Sequence, residues 1–159
     1  GSFQYLTCLL THEYFFRSQG DGSMSQSLLF VHQTPSQQQL LHRYGNYLTL
    51  MDATYKTTKY DLPLFMLAVK TNIDYQVVGT FIVQCEKREN ILEALRVMKS
   101  WNTEWNPQNF MTDNCVAEIK AVQGAVPGKP KADKTYIQDL CQLPCPTFWD
   151  HKIDFHQIN

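Results

Sequence analysis

The middle of the chain alternates apolar runs with short polar connections. The runs at residues 47–51, 64–70 and 77–84 are rich in β-branched, aromatic and long apolar side chains, a composition typical of β-strands. The connections at 57–61 and 72–75 have the length that joins antiparallel neighbours. We therefore predict that the three runs form a β-meander.

Helix signals flank this meander on both sides. Thr34, Pro35 and Gln37 combine an N-cap, a first-turn proline and a capping box, and they predict a helix that stops at Gly45. After the third strand, Asn90 is expected to cap a second helix with Glu93 as its capping-box partner. The apolar residues that recur there with helical spacing are Ile91, Leu92, Leu95 and Met98.

Shorter runs complete the predicted order of elements. Residues 14–16 predict an accessory strand, and residues 28–31 predict a strand before the first helix. Residues 110–112 predict a fourth core strand, followed by a helix from near Asn114 to Gly124. The residues expected to face inward from that helix are Val116, Ile119 and Val122. From residue 47 onward the predicted order is βββαβα.

The pattern loses its periodicity after residue 126, where prolines and lysines accumulate. We divide the chain into an N-terminal accessory segment at 1–27, a core at 28–126 and an irregular Pro-rich tail at 127–159. Residues 136–140 predict a further strand inside the tail. An altered reading frame or splice would also produce such a tail.

Composition excludes several classes of protein. The 159 residues are 43% apolar and 18% charged, which indicates one globular domain. The longest apolar stretch, around 62–69, is too short to cross a bilayer, so we expect no membrane association. Five scattered cysteines favour a reducing nucleus or cytosol. The net charge of -1 lacks the basic excess of a non-specific nucleic-acid binder.

Two aspartates follow predicted strands. Asp52 comes after the first core run, and Asp113 comes after the fourth. If those strands are neighbours, their ends bring two carboxylates together, which suits Mg²⁺ and the two-metal cleavage of a phosphodiester. A turn-forming role for both residues, or an N-cap role for Asp113, explains the same pattern, and position alone leaves both interpretations open.

Four segments of the core resemble the Mutator-like (MULE) transposase domain, as found in animal genomes. The matching segments are 41–46, 51–60, 69–72 and 110–113, and the resemblance covers about residues 28–126. The run Asp-Ala-Thr-Tyr-Lys-Thr-Thr-Lys-Tyr that begins at Asp52 is its most specific part. Host-gene relatives of this family include SWIM zinc-finger proteins and proteins similar to a calcium-responsive transcription factor.

The resemblance implies an α/β fold of the RNase H-like type, a mixed sheet with a βββαβα core. It also implies a nuclear protein whose ancestor was a Mg²⁺-dependent DDE-type transposase, which cleaves and rejoins DNA. In this family the first two catalytic, metal-binding carboxylates lie on the first and fourth core strands, where Asp52 and Asp113 match them. The third comes from a later helix, after a Cys-x-x-His-like motif.

No segment of the tail matches that motif well, so we expect a C-terminally truncated core that is catalytically incomplete. Glu118 is misplaced for the third carboxylate. The expected role is then a DNA-binding or protein-binding module derived from a transposon. The alternative is an active Mg²⁺-dependent nuclease or transposase whose third carboxylate comes from the tail, and its candidates are Asp139, Asp150 and Asp154.

A zinc site in the tail is not expected. Four residues have a suggestive spacing, namely Cys141, Cys145, His151 and His156. Only five residues separate the inner pair, however, which leaves no room for the helix of a Cys₂His₂ finger.

Other polar and aromatic positions have both a functional and a plain interpretation. Lys56 and Lys59 could bind nucleic-acid phosphates beside the stacking rings of Tyr55 and Tyr60, although a solvated face also explains the lysines and the balanced total charge favours it. Two tryptophans and a cysteine are expected to pack rather than to act chemically, and these are Trp101, Trp105 and Cys115.

Overall fold

The computed structural model describes residues 13–17, 27–54, 60–112 and 115–126, which form a six-stranded mixed sheet and three helices. The strands are β1 (Glu13–Arg17), β2 (Leu29–Gln33), β3 (Leu48–Thr54), β4 (Leu64–Lys70), β5 (Tyr75–Val83) and β6 (Asn109–Met111). The helices are α1 (Pro35–Tyr44), α2 (Arg88–Trp101) and α3 (Val116–Ala125). The sheet order is β1-β2-β5-β4-β3-β6. From β3 onward the elements follow the predicted βββαβα order.

The predicted meander is confirmed, since β3, β4 and β5 pair antiparallel in sequence order. The ladder between β3 and β4 continues to the pair Thr54↔Leu64, so β3 is longer than expected at its C-terminal end. Asp52 therefore lies inside β3, opposite Met66, and not after the strand. A β-bulge between Leu67 and Ala68 shifts the register of β4 against β5.

The first and fourth core strands are parallel neighbours. Leu48 pairs with Asn109, and Leu50 pairs with Met111. The connection before β6 is fastened to the chain before β3, because the backbone amide of Gln108 donates to the carbonyl of Asn46 (2.9 Å). The pairing on which the two-carboxylate hypothesis depends is thereby confirmed.

The predicted accessory strand is also present. β1 pairs antiparallel with β2, which pairs antiparallel with β5. The guanidinium of Arg17, at the end of β1, donates to both carboxylate oxygens of Glu93 on α2 (2.6 and 2.7 Å). Its Nε donates to the carbonyl of Ser27 (3.0 Å). These bonds fasten the accessory strand to a core helix.

Helix α1 begins as the sequence predicts. The backbone amide of Gln37 donates to Thr34 Oγ1 (3.2 Å), and the amide of Thr34 donates back to Gln37 Oε1 (2.9 Å). Pro35 is its first residue, and Gly45 follows its last turn. The predicted capping box and helix end are both confirmed.

The predicted N-cap of α2 is wrong. The helix begins at Arg88 with Lys87 as its cap, and Asn90 lies within the first turn. The side-chain Nδ2 of Asn90 donates instead to the carbonyl of Cys85 (3.0 Å), and its Oδ1 accepts from the Ser27 hydroxyl (2.9 Å). Asn90 thus connects the helix to the loop that precedes it and to the chain just before β2. The predicted apolar face is buried as expected, at Ile91, Leu92, Leu95 and Met98.

Helix α3 departs from the prediction at its start. It begins at Val116 with Cys115 as its cap. Val116, which was expected to face inward, is 62% exposed, whereas Glu118 is buried at 1% exposure. Val122 is buried as predicted. The first turn therefore buries a carboxylate and leaves a valine in solvent.

The two faces of the sheet carry separate apolar clusters. The larger cluster joins Met51, Phe65 and Phe81 of the sheet to buried residues of all three helices. The smaller cluster contains Leu48, Leu50 and Ala68, with Tyr75 and Met111 packed against it. Because side chains alternate along a strand, Asp52 shares the face of Leu50, away from the side where Met51 meets the helices.

Trp105 is a packing anchor, as predicted. Its ring is 1% exposed within the larger cluster. The indole Nε1 donates to the Thr49 hydroxyl (3.1 Å), which donates in turn to the carbonyl of Gly45 (2.9 Å). This chain of bonds connects the segment after α2 to β3 and to the end of α1.

Across the described ranges, every helix is too short or too polar to cross a bilayer.

Candidate metal-binding rim

The parallel pairing of β3 and β6 defines a rim at the C-terminal ends of these strands. We call its described residues, Asp52 and Thr112, the carboxylate rim. Asp52 comes two residues after Leu50, and Asp113 comes two residues after Met111, with which Leu50 pairs. Each aspartate therefore comes two residues after the last described pair between β3 and β6, which is Leu50↔Met111. Asp113 itself lies outside the described residues.

Asp52 stands where β3 leaves the core. Residues 48–51 are buried, whereas Asp52, Ala53 and Thr54 are each half-buried. A half-buried carboxylate at a strand end offers the hard oxygen donor that Mg²⁺ prefers, and it leaves room for the waters that this ion retains. The chemistry and exposure of Asp52 fit a divalent cation.

The other described part of the rim is joined to α3. The hydroxyl of Thr112, the residue directly after β6, donates to the Glu118 carboxylate. Glu118 lies in the first turn of α3, where the partial positive charge of a helix N-terminus favours an acidic side chain. Cys115, the N-cap, makes no side-chain capping bond. Hydrophobic spacing did not predict this contact, and its one available signal was an acidic residue near the start of a predicted helix.

A second group of potential metal ligands adjoins this contact. Single donor atoms of Glu86, Cys115 and Glu118 all lie within 4.8 Å of one another. The expectation of a purely apolar role for Cys115 is therefore incomplete, because the half-buried cysteine lies beside two carboxylates. This group combines one sulfur donor with two carboxylates, a softer donor set than the one Mg²⁺ favours.

Glu118 and Asp52 belong to different sides of the sheet. Helix α3 contributes Ala121 and Val122 to the cluster on the helix-covered side. Asp52, by strand alternation, shares the face of Leu50 in the smaller cluster. This division agrees with the expectation that Glu118 is misplaced for a third metal-binding carboxylate.

Several predicted site residues lie outside the described residues. They are Lys56 and Lys59, the stacking candidate Tyr55, the zinc candidates Cys141, Cys145, His151 and His156, and the third-carboxylate candidates Asp139, Asp150 and Asp154. The predicted strand at 136–140 also lies there. Tyr60, the other stacking candidate, is described and is 75% exposed between β3 and β4.

The topology defines the class of protein. An antiparallel meander, a fourth strand parallel to the first, and helices after the third and fourth strands together form the RNase H-like arrangement. The sequence model of the family described as "Zinc finger SWIM domain-containing protein 1/3, RNaseH-like domain" matches residues 10–130, and the chain belongs to this family. No curated protein and no solved structure matches the chain.

The family match confirms two expectations from the sequence. The chain is an RNase H-like, nuclease-fold module, and its relatives are SWIM-containing proteins. The match begins at residue 10 and so includes the accessory strand β1 as well as the βββαβα core.

Proposed function

We propose that this chain is a Mutator-like, transposase-derived module that binds DNA or a protein partner and does not cleave DNA by itself. In this proposal Asp52 and Asp113 form a weak site for a divalent cation such as Mg²⁺. The observation that carries the proposal is the parallel pairing of β3 and β6, since it brings the strand containing Asp52 beside the strand that precedes Asp113.

The chemistry of the described carboxylates supports weak binding without cleavage. In-line phosphoryl transfer depends on preorganised charge around the reacting phosphate. Glu118, the acidic residue that follows Asp113 most closely, is buried and accepts a hydrogen bond from Thr112. It belongs to the helix-covered side and is therefore not offered to a cation beside Asp52.

The cation site is tested by titrating the full chain with Mn²⁺, a spectroscopic substitute for Mg²⁺, and measuring free Mn²⁺ by electron paramagnetic resonance. We expect Asp52→Asn and Asp113→Asn each to weaken binding about tenfold or more, because each removes a charged ligand. Asp74→Asn is the matched control. Asp74 is exposed in the turn between β4 and β5, which lies beside the N-terminal end of β3, whereas Asp52 lies near the C-terminal end of that strand. Wild-type affinity in Asp52→Asn would exclude this site.

Cleavage is tested with supercoiled plasmid in the presence of Mg²⁺ or Mn²⁺. The proposal expects no nicking above a metal-free control. Metal-dependent nicking that Asp52→Asn abolishes would favour the alternative, an active nuclease with a third carboxylate from Asp139, Asp150 or Asp154.

Partner class is tested by fluorescence anisotropy with a labelled DNA duplex. If DNA is the partner, replacing Lys56 and Lys59 by alanine weakens binding and lowers the salt slope by about one for each lysine. Absence of DNA binding at low salt would leave the protein-binding form of the proposal. A DNA-binding role also implies a nuclear protein, which imaging of a tagged chain would test.

A further inference from the structure

A small pocket lies between α1 and the segment that follows α2, and we call it the α1 pocket. Its volume is about 280 Å³. Its lining includes Gln38, Gln39, His42, Trp101, Glu104 and Trp105. We propose that the α1 pocket binds one unpaired nucleobase. This inference goes beyond the proposed function, because it concerns another ligand and another site.

The α1 pocket and the carboxylate rim lie at opposite ends of β3. The backbone carbonyl of Glu104, in the pocket wall, accepts from the side chain of Asn46 (3.2 Å), which precedes β3. Asp52 lies near the C-terminal end of that strand. Nucleobase binding in the pocket and cation binding at the rim are therefore separate measurements, and failure of one proposal leaves the other standing.

The size of the α1 pocket restricts its ligand to about one flat ring system. Pockets for drug-sized ligands enclose about 300–1,000 Å³, and this one lies just below that interval. The indole of Trp101 is half-buried in the wall, and Trp105 beside it is buried. An aromatic wall suits a flat ligand, since unpaired bases stack on aromatic side chains and each stacked base contributes to affinity.

Polar side chains around this aromatic wall are available to a ligand. Within the described residues, the side chains of Gln38, Gln39 and Glu104 form no hydrogen bond or ion pair. Each glutamine amide offers both donors and an acceptor, which matches the donors and acceptors on the edges of a base. The Glu104 carboxylate only accepts, so it favours a base that carries an exocyclic amino group.

The loop that forms one wall of the pocket is held in place by side chains outside it. The ammonium group of Lys99 donates to the carbonyl of Thr103 (2.9 Å) and to that of Trp105. The side-chain Nδ2 of Asn102 donates to Gln33 Oε1 (2.7 Å). A wall that is fixed before the ligand arrives lowers the ordering cost of binding.

A cationic side chain of a peptide is the competing ligand, because Trp101 and Glu104 also suit arginine or lysine. Glu104 is exposed, however, and an exposed ion pair contributes little. Lysine and arginine side chains have no acceptor, so they would leave the amide donors of Gln38 and Gln39 unmatched. A nucleobase satisfies both the aromatic wall and the amides.

The test uses the full chain and two kinds of probe. Fluorescence anisotropy measures the binding of labelled single strands of deoxyadenosine or of thymidine, and calorimetry measures the binding of free adenosine. We expect Trp101→Ala to weaken binding of the deoxyadenosine strand at least about fivefold, the lower end of what one stacked base contributes, and Trp101→Phe to recover most of the loss. Tyr47→Ala is the matched control, because Tyr47 is 64% exposed and does not line the pocket.

Glu104→Gln provides a second variant, which leaves the packing of Trp101 against the larger cluster untouched. It should remove most of the preference for deoxyadenosine strands over thymidine strands, because the new amide no longer only accepts. Thermal unfolding is measured for every variant. If Trp101→Ala fails to fold, the result with Glu104→Gln decides.

Loss of affinity in Trp101→Ala with recovery in Trp101→Phe supports the proposal. Binding of the strands without binding of free adenosine would then assign the base to a single strand, whereas binding of adenosine alone would assign it to a free nucleoside. Three results overturn the proposal: no binding of either probe, unchanged affinity in a folded Trp101→Ala variant, or calorimetric binding of N-acetylarginine amide in place of adenosine.

Discussion

Gln33 provides a sharp test of how the sheet is held in register. Its side chain is fully buried at the end of β2, and its Nε2 donates to the carbonyl of Val78 (2.8 Å). Val78 lies at the β-bulge, where Leu67 pairs with Gly79 and the next residue of β4 pairs with Val77, so Val78 has no partner in that ladder. Gln33 Oε1 also accepts from the Asn102 side chain (2.7 Å). The Gln33 side chain thus binds both the β-bulge in β5 and the residue that follows α2.

Gln33→Leu should destabilise the protein by about 3 kcal/mol. The substitution roughly conserves volume but removes a partner from two polar groups, the Val78 carbonyl and one N–H of Asn102. The buried Val78 carbonyl costs about 1–3 kcal/mol when it loses its hydrogen bond, and the half-buried Asn102 N–H adds a smaller amount because water can reach it. The added apolar contact of leucine offsets a part of this.

Urea unfolding followed by circular dichroism measures the effect. Gln39→Leu is the matched control, because Gln39 is exposed on α1, and a surface substitution of this kind changes stability by about 0.5 kcal/mol or less. A loss for Gln33→Leu no larger than that of the control would refute the reasoning. It would mean that water or a local shift replaces the glutamine.

Two further predictions concern the attachment of α1 and of the accessory strand. Thr34→Ala removes the capping box and should cost about 1 kcal/mol in urea unfolding, and Thr34→Ser should recover most of it; equal losses in both variants would contradict the capping role. A double-mutant cycle on Arg17 and Glu93 should give a coupling energy of about 1 kcal/mol, because the pair is bidentate but partly exposed. The hydrogen bonds to Glu93 raise the pKa of Arg17. The stability that the Arg17–Glu93 pair contributes is therefore fully present below the ordinary arginine pKa and is lost only as pH rises through the raised value. The coupling energy should then be constant from about pH 6 to about pH 9. A decline over that interval would contradict the assignment of the coupling to charged Arg17.

Local signals predicted most of the fold. The capping box at Thr34 and Gln37 involves only residues close in sequence, so no distant contact is needed to recognise it. The meander was likewise visible, because its strands are runs of β-branched, aromatic and long apolar residues and its connections are short. β4, which is buried over residues 65–69, was predicted with its observed bounds.

Distant contacts explain the errors. Asn90 has the residue type of an N-cap, but Ser27 lies far away in sequence and binds its side chain, and the helix starts two residues earlier. Val116 has the residue type of a core position, yet the side chain buried in that turn is Glu118, which Thr112 binds. Hydrophobic spacing cannot reveal a polar side chain that is buried because it has a partner.

The candidate site was predictable only in part. The composition of β3 and β6 identified them as strands, but their parallel pairing was a hypothesis, since a helix and two other strands separate them in the sequence. The position of Asp52 within β3 depends on a ladder with β4 that extends beyond the apolar run. The tie between Thr112 and Glu118 left no periodic signal at all.

The two apolar clusters lie on opposite faces of the sheet and differ in what surrounds them. Most of the buried apolar side chains lie with the helices, while Asp52 belongs to the opposite surface. Substitutions that remove the acidic groups would therefore leave the main hydrophobic interior intact. A domain built in this way can lose acidic residues from that surface over many generations and still persist as a stable body on which new binding surfaces evolve.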